Sequence, residues 1–170
     1  MASTKKCVFL GDGTVGKTCI LMLRSEGKFP QIYDNYVADT TISGEKVTFS
    51  FIDTAGQEGF DNILYRSIDA ADVLIICFAI DNVTSFENVE LRWVKLLRDR
   101  HKSAPIILVG CKSDARYTGR DTITYKQGRK LAAKIKAENY LECSALQNSG
   151  VKQQFENVFT IGAGPDGESK

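Results

Sequence analysis

The stretch Gly11-Asp12-Gly13-Thr14-Val15-Gly16-Lys17-Thr18 constrains this chain more than any other. It fits the spacing G-x-x-x-x-G-K-[ST] and follows directly on the apolar run Cys7-Val8-Phe9-Leu10. Such a sequence sends a short buried strand into a tight glycine turn and out into a helix, expected over roughly 16–24. Backbone N–H groups of the turn converge on an anion, and the helix adds the positive end of its dipole. Lys17 supplies a mobile charge for the outer phosphates of a nucleotide, and the Thr18 hydroxyl is placed to ligate a phosphate-bound Mg²⁺.

Composition narrows the field by exclusion. A length of 170 residues suits one compact domain with a sizeable core, and 43% apolar with 25% charged residues is ordinary for a globular chain. The formal net charge is +1 and no segment concentrates Lys and Arg, so a basic nucleic-acid-binding face is not expected. The longest apolar runs, 73–80 and 105–109, are too short to cross a bilayer, and no leader pattern precedes Cys7. Cysteines at 7, 19, 77, 111 and 143 are odd in number, and Cys7, Cys77 and Cys143 lie in strand-like segments. That suits reduced thiols in a cytoplasmic protein better than disulfides or a zinc site. The lone histidine, His101, sits in a polar run and reads as an exposed loop residue.

Strand-like runs at 5–10, 37–43, 46–53, 73–80, 106–110 and 140–143 alternate with helical patterns. The expectation is an α/β fold with a six-stranded, mostly parallel sheet and about five helices. Ser43-Gly44-Glu45 is a hairpin signal, which makes one strand pair antiparallel. Segments 73–80 and 106–109 lack alternation, as central strands covered on both faces do. Thr84-Ser85-Phe86-Glu87 has capping-box spacing, and Phe86, Val89, Trp93 and Leu96/Leu97 then form a helical apolar stripe with Trp93 as a packing anchor. Further helices are expected at about 125–137 and 151–161. Residues 1–161 form one domain in this reading, and the glycine-rich 162–170 a flexible tail.

Asp53, at the end of the third strand, is where a second Mg²⁺-holding group is needed across from the glycine loop. In the following Thr54-Ala55-Gly56-Gln57, Gly56 lets a backbone N–H approach the γ-phosphate, and Gln57 can orient a water for in-line attack. Cys111-Lys112-Ser113-Asp114 follows another strand end. The Asp114 carboxylate can accept two parallel hydrogen bonds from guanine N1–H and its exocyclic amine, a pair adenine does not offer. The Lys112 stem can lie along the base. Ser144, Ala145 and Leu146 follow the last strand and can offer a backbone N–H to guanine O6.

In this order, these residues resemble the Ras-like small GTPases, and within them the Rho/Rac family. The resemblance runs from Lys6 to about Phe159 and includes Phe29-Pro30, Asp34-Asn35-Tyr36-Val37-Ala38-Asp39, Pro105-Ile106-Ile107-Leu108-Val109-Gly110 and Glu142-Cys143-Ser144-Ala145-Leu146. It implies a P-loop NTPase (small G-protein) fold and GTP/GDP binding with Mg²⁺ held by Thr18 and Asp53. It also implies hydrolysis assisted by Gln57 and Lys17, and a monomer that meets exchange factors, activating proteins and effectors. By the same resemblance, Phe29 packs edge-on against guanine, Cys19 belongs to the nucleotide site, and Gly13 stands where side chains impair hydrolysis. Cys111 replaces the Asn or Thr usual at its position.

Three departures qualify the resemblance. Only Gln31-Ile32-Tyr33 separate Pro30 from Asp34, so the Pro-Thr of switch I, whose Thr would ligate Mg²⁺, is missing. Thr40 and Thr41 belong to the second strand and cannot take that role. The Rho insert helix is absent between Asp114 and Thr122, and the printed end has no C-a-a-X box or polybasic run for a membrane anchor. The expected protein is a Rho/Rac-type GTPase in signal transduction with altered switch chemistry and weak Mg²⁺ binding. A nucleotide-bound scaffold with little hydrolysis is the alternative.

Overall fold

The computed structural model describes residues 3–17, 35–54, 61–117, 121–147, 149–150, 156–158 and 160–162. Six strands make one sheet: β1 (Ser3–Leu10), β2 (Asn35–Ile42), β3 (Glu45–Asp53), β4 (Val73–Ala79), β5 (Ile106–Cys111) and β6 (Asn139–Glu142). Their order is β2-β3-β1-β4-β5-β6. Only the β2–β3 pair is antiparallel, with Ile42 opposite Glu45. The hairpin turn is two residues, Ser43 at φ 51° and Gly44 at φ 81°, one shorter than expected. Positive φ at both centres matches the right-handed twist of the flanking strands.

β4 is buried throughout. Its odd positions Val73, Ile75, Cys77 and Ala79 join Cys7, Phe9, Phe49, Phe51, Val109 and Val158 on one face. Its even positions Leu74, Ile76 and Phe78, with Ile80 beyond, join Val8, Leu10, Leu108 and the helices of the other face. Two-sided burial is why its sequence runs apolar without alternation.

The second face is covered by α1 (Asp61–Ala70), by a rod spanning 83–99, and by α4 (Tyr125–Lys134). The rod comprises α2 (Val83–Asn88), a π-helical stretch Val89–Val94 and α3 (Lys95–Asp99). Its N-cap is Asn82, whose Oδ1 accepts from Ser85 N at 3.0 Å. The capping box expected at Thr84 therefore gives way to an earlier start. The Ser85 hydroxyl is taken up in turning the β4 end, donating to Asn82 O at 2.7 Å and accepting from Ala79 N at 3.0 Å. A capping box does form before α4, between Thr124 and Gln127. α4 stops short of 137 because Lys136 turns left-handed at φ 59° and Ala137 N donates back to Ala132 O at 2.9 Å. Described residues 156–158 and 160–162 are helical, and Val158 sits in the first-face core. Of the first expected helix, only its start lies within the described residues.

Candidate functional site

β1 lies between β3 and β4, so its end opens into the crevice where strand order reverses, the usual ligand site of an open α/β sheet. Gly11 takes φ 141°, and a Cβ there would stand 2.2 Å from the Cys77 carbonyl oxygen, so no other residue fits. Thr14 at φ 64° and Gly16 at φ 114° repeat the left-handed turn. Such turns set successive amides around a concavity suited to an anion. Lys17 is 3% exposed. Its Nζ donates to Gly11 O at 2.6 Å and Asp12 O at 2.8 Å, which folds the ammonium over the loop.

A second ammonium reaches the same loop. Lys112, at φ 60°, donates from Nζ to Thr14 O at 2.8 Å. Thr14 and Lys112 are thus two non-glycine left-handed residues joined by one hydrogen bond. Each conformation costs on the order of 1 kcal/mol and persists where its surroundings over-determine it. Beside them, Ser144 Oγ donates to Asp114 Oδ1 at 2.6 Å and accepts from Gln147 N at 3.1 Å. Ser113 N donates to Cys143 O at 3.1 Å, locking the 112–114 turn to the 144–146 turn. Cys111 ends β5 as a strand residue, and its β-carbon is 3.6 Å from where a Gly16 side chain would begin. Hydrogen bonds with Cys143 and Cys77, together with burial, hold its thiol well above the ordinary thiol pKa.

The two turns are braced from behind. Arg116, in the 3₁₀ turn Ser113–Tyr117, makes two 2.8 Å hydrogen bonds to the Glu142 carboxylate and one at 2.9 Å to Ile123 O. Tyr140 donates its hydroxyl to Glu142 Oε2 at 2.6 Å. On the other flank, Asp53 ends β3 opposite Phe9 and is 8% exposed. Thr54 Oγ1 donates to Phe9 O at 2.6 Å, pinning the β3 exit to β1.

Of the expected site residues, Gly11, Asp12, Gly13, Thr14, Val15, Gly16, Lys17, Asp53, Cys111, Lys112, Asp114, Ser144, Ala145 and Leu146 sit at strand ends or the turns following them. Leu146 is 84% exposed, whereas Val15 and Cys111 are core. Thr18, Cys19, Phe29, Gly56 and Gln57 lie outside the described residues. Asn88 and Arg116 are not singled out by the sequence, and Thr54 and Glu142 stand in its motifs without a role of their own. Each acts through a partner far along the chain, and no local spacing announces such a contact.

A sequence model of the Ras family matches residues 6–161. The chain belongs to the Ras family. Among curated relatives, GTP-binding protein rho1 of Schizosaccharomyces pombe is 40% identical over 169 residues, covering 91% of this chain and 84% of the relative. GTP-binding protein rho5 of the same organism has the same identity and coverage. GTP-binding protein RHO1 of Candida albicans is 39% identical over 167 residues, covering 89% and 84%. This is a Rho-like small GTPase in signalling, as the resemblance implied, and its sheet of one antiparallel and four parallel strand pairs is the fold expected for it. No helix of the described residues in this Rho-like GTPase is long and apolar enough to cross a membrane.

Proposed function

We propose that this Rho-like GTPase holds GTP or GDP against the 11–18 loop and hydrolyses GTP by in-line attack of water on the γ-phosphate. The observation that carries this reading is the convergence of Lys17 and Lys112 on carbonyls of one left-handed loop, beside the paired Asp114 and Ser144. In it, Lys17 and the loop amides stabilise charge on the outer phosphates, and Gln57 orients the water. Asp114 reads guanine through two parallel hydrogen bonds, with Lys112 along the base and residues 144–146 at O6. Phe29 and Cys19 complete the site, and Gly56 brings an amide to the γ-phosphate.

The donor set fits a hard divalent cation bound jointly with phosphates. Among the described residues no three of His, Cys, Asp and Glu converge into an all-protein cage, yet Asp53 ends its strand next to the loop that precedes Thr18. Thr18 and Asp53 would hold Mg²⁺, which when bound neutralises charge between the β- and γ-phosphates. With the switch I Pro-Thr missing after Pro30, the metal is held weakly and nucleotide-state discrimination rests on residues 56–66. A cytoplasmic setting suits the free thiols Cys7, Cys77, Cys111 and Cys143, and the expected partners are exchange factors, activating proteins and effectors. Nucleotide release measured with and without EDTA tests the metal: a weakly held ion predicts little change on chelation, and a large acceleration contradicts it.

A further inference from the structure

Asp12 touches more than its own loop. Its backbone carbonyl accepts from Lys17 Nζ, while its carboxylate engages the rod that joins β4 to β5. Oδ1 accepts from Trp93 Nε1 at 3.0 Å and Oδ2 from Asn88 Nδ2 at 2.7 Å. The Arg92 guanidinium stands 4.0 Å from Oδ1 and lies 4.4 Å from the Trp93 ring centroid. Trp93 itself is 1% exposed, so its indole N–H is committed to this one acceptor in a packed setting.

Backbone shape explains how two donors reach one carboxylate. Asn88 and Trp93 are five positions apart, which on a regular α-helix places them about 140° apart around the axis. The stretch Val89–Val94 is π-helical, and there a turn takes about 4.4 residues, so a five-residue step falls roughly 50° past one full turn. The wider turn therefore brings both donors to the same side, facing Asp12. We propose that Asn88 and Trp93 are positioning residues for the phosphate loop, and that the π turn is the bracket setting them against Asp12. Fixing Asp12 fixes its carbonyl, and with it one of the two oxygens that hold the Lys17 ammonium.

This role rests on the reading that the 11–18 loop holds nucleotide phosphates. Release of mant-GDP and equilibrium binding of mant-GMP are compared for the unaltered chain, Asn88→Asp, Trp93→Phe and the rod-surface control Glu87→Ala. Asn88→Asp keeps the shape but sets one carboxylate against another, and Trp93→Phe keeps an aromatic ring without the N–H. Both are expected to speed mant-GDP release roughly tenfold, the scale of losing one hydrogen bond to a charged group, with mant-GMP affinity held within about twofold. Glu87→Ala is expected to behave as the unaltered chain. Unchanged release in Asn88→Asp, or equal losses for mono- and diphosphate, overturns the positioning role. If Trp93→Phe does not fold, Asn88→Asp decides the matter alone. Failure of the unaltered chain to bind mant-GDP would instead overturn the nucleotide reading, and this role with it.

Discussion

Lys17 and Lys112 set their ammonium groups on three carbonyl oxygens of one loop, those of Gly11, Asp12 and Thr14. A nucleotide phosphate competes for the Lys17 donors, and charge-assisted bonds to phosphate are the stronger partners. Lys17→Ala is therefore expected to weaken GDP binding by about 3 kcal/mol, roughly a hundredfold in Kd by fluorescence titration. Asp114 is held by Ser144 Oγ, so its carboxylate has a fixed direction before any base arrives. Asp114→Ala is expected to erase the preference for GDP over inosine diphosphate, which lacks the 2-amino group. An undiminished preference in competition binding would move guanine recognition elsewhere. Trp93 shows where residue-level reading stops. Its spacing correctly marks it as a core anchor, but its N–H finds an acceptor 81 positions away, which no helical period encodes.

Among elements, the 3₁₀ turn Ser113–Tyr117 and β6 are joined by the half-buried Arg116–Glu142 pair, whose side chains are 29% and 12% exposed. Removing one partner leaves the other charged and poorly hydrated. Arg116→Met is expected to cost about 2–3 kcal/mol in urea unfolding, and adding Glu142→Leu to restore part of it. α4 rests on β6 through Gly128, where a Cβ would stand 2.1 Å from the Tyr140 ring. Alanine gains about 1 kcal/mol in helix propensity. The ring cannot yield, because its hydroxyl is tied to Glu142 and its face stacks on Phe78. Gly128→Ala is thus expected to destabilise the fold by about 2 kcal/mol, since overpacking outweighs propensity. Strands were legible because burial writes itself as period two or as unbroken apolar runs, and all six fall within two residues of their expected bounds. The start of the rod was not, because Asn82 and Thr84 are both good caps and only the turn after β4 chooses between them. The π stretch was illegible for a related reason: Val89, Trp93 and Leu97 keep i+4 spacing through it.

Across the whole molecule, several buried acids keep their protons. Burial, with Asp72 nearby, pushes the Cys7 thiol up to about 12, and Cys111 and Tyr140 are raised as well. A raised native pKa stabilises the fold fully below the group's ordinary value, and that contribution fades as pH climbs toward the native one. Thermal stability is therefore expected to hold up to about pH 8 and then fall, because thiols of the unfolded chain ionise there while Cys7 and Cys111 in the fold stay protonated. A flat profile from pH 8 to 10 in a calorimetric series would contradict that burial.

The site is likewise a property of the whole sheet, drawing on the ends of β1, β3 and β5 and the turn after β6. Its motifs were legible because each follows a strand end, while the braces at Thr54, Arg116 and Asn88 depend on chain closure. The most direct test is a single-turnover assay, with the protein loaded with GTP and the nucleotide followed by chromatography. The account predicts that GTP converts to GDP and phosphate faster than in buffer, while ATP supplied in its place is neither retained nor cleaved. GTP that stays bound and intact over the same period would contradict hydrolysis and leave a nucleotide-bound scaffold.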